Sequence, residues 1–221
     1  SCKAILYKYE KSFLSCNNQW LLAQFHNYRG IIRYQLGLPG VIDDFKCAFQ
    51  YFGSVNNYQL QIQVKNNVGY YYKDFGKYKE AEYEIRKALE LAGQLQDITL
   101  TGSLMDSLAT VLLDAGEPEK ALKYATEAVN QLEKVDSYMQ LIDAYKVKMK
   151  TLYSLNLIAE SLSVFSQAIE LTKQQGFDES ATKLTETYAE MLQQKNVIDV
   201  FVESEEFTGV RMFDLNLPDE L

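Results

Sequence analysis

The chain has 221 residues, 47% of them hydrophobic and 24% charged, a balance that is ordinary for a globular protein and argues against disorder. Its formal charge of −8 opposes contact with phosphate backbones and anionic lipid, so no nucleic acid is expected as a partner of this segment. Nothing in it approaches the ~18–20 uninterrupted apolar residues of a membrane span, and no basic stretch leads into an apolar core at its start, so a soluble chain without a membrane partner is expected.

Only three prolines and eleven glycines punctuate the sequence, and the runs between them are long enough for helices of several turns, which predicts an all-α fold. Residues 3–14 read as the second helix of a unit whose first helix is missing, as if the chain were cut from something longer. Tyr28-Arg-Gly30, Tyr34, Leu36-Gly37 and Asp44 to Ala48 then suggest a divergent unit whose turn at Pro39-Gly40 is about one residue short. Arg29 and Arg33 stand there where apolar residues are usual, as Lys148 does further on, which predicts a different packing.

A regular pattern follows. Gly76 opens Gly-Lys-Tyr-Lys-Glu-Ala81, Gly116 opens Gly-Glu-Pro-Glu-Lys-Ala121, and Asn156 opens Asn-Leu-Ile-Ala-Glu-Ser161, each 40 residues after the last. Asparagine replaces glycine at the third turn, where a left-handed cap is expected. Downstream, Ile85 and Ala88 are matched by Ala125 and Ala128, then by Phe165 and Ala168. After Phe177 a helix with Ala181, Leu184, Tyr188, Ala189 and Leu192 begins a further unit, but no second helix of the same signature follows. Val197 to Val202, the acidic Glu203 to Glu206 and the alternating Val210 to Leu217 read either as an irregular cap over the last helix or as the start of a β-containing domain.

These residues resemble the tetratricopeptide repeat family in its longer form of roughly 40 residues. Asn67-Val68-Gly69, Tyr72, Gly76, Tyr78, Ala81 and Ala88 carry the signature in one unit. The resemblance implies a right-handed α-α superhelical solenoid of helical hairpins with a short irregular or β-like C-terminal tail. Repeat units are expected at 3–14 (partial), 20–56, 60–96, 99–136, 139–175 and 178–195, with 196–221 as cap or new domain. Small residues such as Gly69, Ala81 and Ala88 belong where helices approach most closely, and Tyr72 and Tyr78 fill the wider gaps.

In this family the first helix of every unit lines a concave wall that holds peptides, and side chains reach it at intervals of three or four. The residues so placed are Asn27, Ile31 and Tyr34; Gln63, Asn66, Tyr70 and Lys73; Asp106, Thr110 and Asp114; Asp143, Lys146, Lys150 and Tyr153; and Lys183 and Glu186. Asn27 and Asn66 occupy equivalent places, and a carboxamide both donates to and accepts from a peptide backbone. Of Tyr70-Tyr71-Tyr72, which must point three ways, Tyr70 is the one expected to face the groove. Lys73, Lys146 and Lys150 supply positive charge without completing the family's carboxylate-gripping set. The alternative for all of these is a solvated helix face.

Cys2, Cys16 and Cys47 form no close pair that would suggest a zinc or redox site and read as reduced thiols, which favours the cytoplasm. His26 is the only histidine, so no histidine-based metal cluster is expected, and carboxylates such as Asp43-Asp44 read as solvated faces or helix starts. There is no phosphate loop, Gly-x-Ser-x-Gly elbow or dinucleotide fingerprint. The expectation is a non-catalytic module without cofactor or metal, holding a peptide or protein segment for a larger regulatory protein. It is similar in layout to the repeat domains of bacterial peptide-pheromone receptors. An assembly scaffold using the convex surface or the ends, and a regulatory arm of an enzyme or transcription factor, are the alternatives. An exposed terminal hairpin leaves room for a homodimer.

Overall fold

The computed structural model describes residue 8 and residues 10–195; the expectations for the tail at 196–221, for Cys2 and for most of the partial unit at 3–14 lie outside them. After a helical stretch at 10–14, the described residues form α1 Gln19–Gln35, α2 Val41–Ser54, α3 Tyr58–Asp74, α4 Tyr78–Leu95, α5 Ile98–Asp114, α6 Pro118–Leu132, α7 Tyr138–Ser154, α8 Ile158–Gln175 and α9 Asp178–Lys195.

Local chemistry fixes the ends of these helices. Asn18, Asn57 and Asp97 cap α1, α3 and α5, each accepting from the backbone N–H three residues on, at 3.1, 3.1 and 2.9 Å. At the other end a left-handed residue closes the turn: Gly76 at φ 69°, Gly116 at 77° and Asn156 at 62°. In each case the next amide reaches back to the carbonyl five residues earlier, Lys77 to Tyr72, Glu117 to Leu112 and Leu157 to Leu152, all at 2.9 Å. The first turn differs. Val41 takes the place of Ala81 only four residues after Gly37, and α2 starts on it directly, behind a left-handed Gly40.

Each helix packs on the next, and the first helices of successive units also touch: α1 on α3, α3 on α5, α5 on α7, α7 on α9. The second helices of successive units come less close. A stack that is tighter along one edge must bend toward it, so α1, α3, α5, α7 and α9 form the concave wall of a solenoid.

The seams are filled by the small and apolar residues of the repeat. Ala81, Ile85, Ala88, Ala121, Ala125, Ala128, Phe165 and Ala168 are all buried. A Cβ on Gly69 would lie 2.5 Å from Ile85 Cγ1, which is why this crossing requires glycine. Tyr72 and Tyr78 pad the cluster around Ala81, Ile85 and Leu108, while Tyr71 packs against Tyr34 of the first unit and against Phe75 at the end of its own helix.

The first unit is held differently. Arg29 is buried, and its Nε donates to both oxygens of the buried Asp44 at 2.8 and 3.0 Å. Arg33 reaches the same carboxylate at 2.7 Å, and His26 Nδ1 stands 2.9 Å from it. Arg29 also pairs with Glu10 of the preceding helical stretch at 2.5 Å. This explains the two arginines at apolar places and gives His26 a structural partner. Cys16 and Cys47 are free thiols, partly buried.

Candidate functional site

The concave wall is built from columns, because each first helix presents the same turn at the same height. Counted from the helix starts, Asn27, Asn66, Asp106, Lys146 and Glu186 are equivalent. One turn toward the N-termini lie Gln63, Asp143 and Lys183; one turn the other way lie Ile31, Tyr70, Thr110 and Lys150; beyond them come Tyr34, Lys73 and Tyr153. Separations of three and four place all of these on one helix face.

Three neighbours in the central column share one property. The Oδ1 atoms of Asn27, Asn66 and Asp106 are each buried and have no hydrogen-bond partner. Buried acceptors are normally satisfied, so three unmet ones at one register on successive helices set this column apart from the rest of the wall.

Around this row the wall is polar and unevenly paired. Tyr70 lies between α3 and α5 beside Ser107, Asp106 and Thr110, and burial raises its hydroxyl pKa above the ordinary value. Lys73 Nζ sits 5.4 Å from the Tyr70 ring centre. It also bridges Asp74 and Asp114, at 3.2 Å each, and these contacts outweigh desolvation and raise its pKa. Tyr34 donates to Asp74, so a polar chain runs from the first unit to the third along the C-terminal ends of the inner helices. Lys150 makes no ion pair among the described residues, and desolvation followed by the charge of Lys146 lowers its pKa.

The acidic residues are the most perturbed. Burial, with the nearby charge of Asp143, pushes the Asp106 carboxyl up to about 7. Asp143 is raised as well, by partial desolvation, against the pull of Lys146.

Some residues expected on the wall are already engaged. Tyr153 is buried, and its hydroxyl donates to the Met191 carbonyl of α9, tying the last inner helices together. Thr110 donates to the Asp106 carbonyl of its own helix at 3.1 Å. Gln63 is exposed. Sequence reasoning did not single out Asp74 or Ser107, which complete the surroundings of Lys73 and Tyr70; both neighbour a selected position in the chain, and helical spacing alone does not turn them toward the wall. A separate crevice of about 170 Å³ among Phe45, Phe49, Val64, Val68 and Tyr72 is edged by the Lys65–Glu84 ion pair at 2.7 Å and includes none of the wall residues. Among the described residues no group of His, Cys, Asp or Glu is placed to hold a metal ion, and no helix is long and apolar enough to cross a membrane.

Comparison with known proteins agrees with this architecture. Residues 59–134 match the family model described as tetratricopeptide repeat. No curated protein matches the chain. Among solved structures, BtubC (BKLC) from P. vanneervenii is similar at 11% identity and a TM-score of 0.67, over 79% of this chain and 73% of that one. Aspartyl phosphate phosphatase F from Bacillus subtilis is similar at 16% identity and a TM-score of 0.76, over 91% of this chain and 54% of the other. A Rap protein in complex with competence and sporulation factor gives 18% identity and a TM-score of 0.72, over 92% and 57%. This chain therefore spans little more than half the length of the last two. At these identities the likeness concerns the fold: the chain is a solenoid of helical hairpins, and its residues 59–134 match the tetratricopeptide repeat model.

Proposed function

We propose that this repeat chain is a non-catalytic interaction module that holds an extended peptide segment along the concave wall, as part of a larger regulatory protein. The observation that carries the reading is the row of buried, unpartnered oxygens on Asn27, Asn66 and Asp106. An extended peptide offers backbone N–H groups at regular intervals, and side-chain acceptors at one register on successive helices suit such a ligand irrespective of its sequence. Tyr70 supplies a large amphipathic surface beside them, and Lys146 and Lys150 add positive charge next to the acidic pair. The solved likeness to a Rap protein bound to competence and sporulation factor is in keeping with a peptide ligand.

The test is selection from a random heptapeptide display library on the intact chain and on the Asn66→Ala variant. Peptides recovered on the intact chain should raise its melting temperature, since a ligand at 100 times its Kd stabilises by about 2.7 kcal/mol, and the variant should lose that gain. Peptides that stabilise both proteins equally would remove the wall from the explanation.

A second reading, an assembly scaffold using one end of the stack, is favoured by Leu14, Trp20 and Tyr28, which are 49%, 47% and 60% exposed near the N-terminal end of the described residues. Exposed aromatic side chains of this kind anchor protein interfaces. Replacing Trp20 and Tyr28 by serine separates the readings. It should leave peptide selection unchanged and remove any partner docked at that end.

A further inference from the structure

Asp106 differs from the two asparagines in its row in one respect: it is an acid. Its Oδ1 is buried without a partner, and the charge that bears on it is another carboxylate, Asp143 of the next inner helix. Tyr70 of α3 is the titratable neighbour on the other side. Lys146 holds the equivalent place on α7, but its charge bears on Asp143 and is not among those acting on Asp106. None of the lysines of the wall forms an ion pair with Asp106 or Asp143 among the described residues.

An acid in this setting is costly in either form. Ionised, it is a desolvated charge beside a like charge; protonated, it still leaves an acceptor unused. The stack elsewhere shows what relieves such a cost, because the buried Asp44 is surrounded by Arg29, Arg33 and His26. Asp106 has the carboxylate and lacks the cation.

We propose that Asp106 and Asp143, with the Asn66 carboxamide on the adjoining helix, form a seat for a protonated amino or guanidino group of the bound peptide. The inference rests on reading the concave wall as a peptide groove and adds what the ligand must carry. A guanidinium offers five N–H donors in a planar fork, which matches two carboxylates and a carboxamide oxygen; an ammonium offers three. The cation supplies the charge that Asp106 lacks, and the chain's net charge of −8 favours its approach. The raised pKa of Asp106 agrees with this geometry, since a group held near neutrality by burial and a like charge ionises once a cation arrives.

The experiment measures binding at pH 8 of four peptides to the intact chain and to Asp106→Asn: acetyl-Ala-Ala-Arg-Ala-Ala-amide, its citrulline analogue, acetylated penta-alanine amide and penta-alanine amide with a free amino terminus. The first pair isolates a basic side chain and the second a terminal ammonium. One cationic member should bind about tenfold more tightly than its neutral counterpart, and the advantage should vanish in the Asn variant. An advantage that persists in Asp106→Asn, or equal binding within each pair, overturns the seat while leaving the groove intact. If no peptide binds, ethylguanidinium against propionamide, followed at the Asp106 carboxyl carbon by NMR, decides it. A saturable shift with the cation alone keeps the seat although the groove reading fails, and the absence of a shift ends it.

Discussion

Asp44 in the first unit is buried and Asp106 in the third is partly exposed with a buried Oδ1, and the two have opposite surroundings. At Asp44 burial would raise the pKa, but hydrogen bonds from His26 and Arg29 and the charges of Arg29 and Arg33 outweigh it and lower the pKa below the ordinary value. At Asp106 burial is joined by the like charge of Asp143, and the carboxyl rises to about 7. The same side chain thus fastens the two helices of one hairpin together and stands without a cation on the wall of another. Burial alone does not decide the ionisation of an acid; the presence or absence of cations around it does.

The largest expected effect breaks the first half of this contrast. Asp44→Ala leaves Arg29, Arg33 and His26 facing one another without their shared anion, which should cost about 3–5 kcal/mol in urea unfolding. Because the Asp44 pKa is lowered in the fold, its stabilisation is present above the unfolded value near 4 and fades as pH falls below it. Wild type should therefore lose stability on acidification below about pH 4 more steeply than the variant does.

Next comes the central packing that replaces charge with close contact. Gly69→Val would push a branched side chain into Ile85 and should cost about 1–3 kcal/mol by the same measurement. Asp106→Asn has the opposite sign. A carboxyl whose pKa is raised in the fold binds its proton more tightly there than in the unfolded chain, so it lowers stability as pH rises from about 4 to 7. The variant should gain about 1–2 kcal/mol at pH 8 and nothing at pH 4, read from denaturation at the two pH values. The smallest effect sharpens the boundary between the two regions. Lys65 pairs with Glu84 and lies 5.0 Å from the Phe49 ring centre, so it joins the first unit to the second; Lys65→Ala should cost about 0.5–1 kcal/mol in thermal unfolding.

The solenoid was legible because its causes are local and periodic. Gly76, Gly116 and Asn156 mark turns through their own backbone preference, and alanines at fixed offsets mark the crossings; both signals survive without knowledge of the third dimension. The charge cluster of the first unit was visible only as an anomaly. Arg29 and Asp44 are 15 residues apart on different helices, and nothing in their spacing announces that one neutralises the other. Helical spacing also grouped the wall residues, because a column is a periodic object. It did not show that Tyr153 spends its hydroxyl on Met191, or that Asn27, Asn66 and Asp106 share an unmet oxygen, since both depend on the distance between neighbouring helices.

Every hairpin here touches chiefly its immediate neighbours, and each turn is closed by its own backbone bonds. Cohesion of that kind is modular: splicing in a second copy of residues 98–137 should lengthen the molecule without redesign of the rest, and would add one more rung to the wall. Ligand length, in such a molecule, is an editable property of the gene.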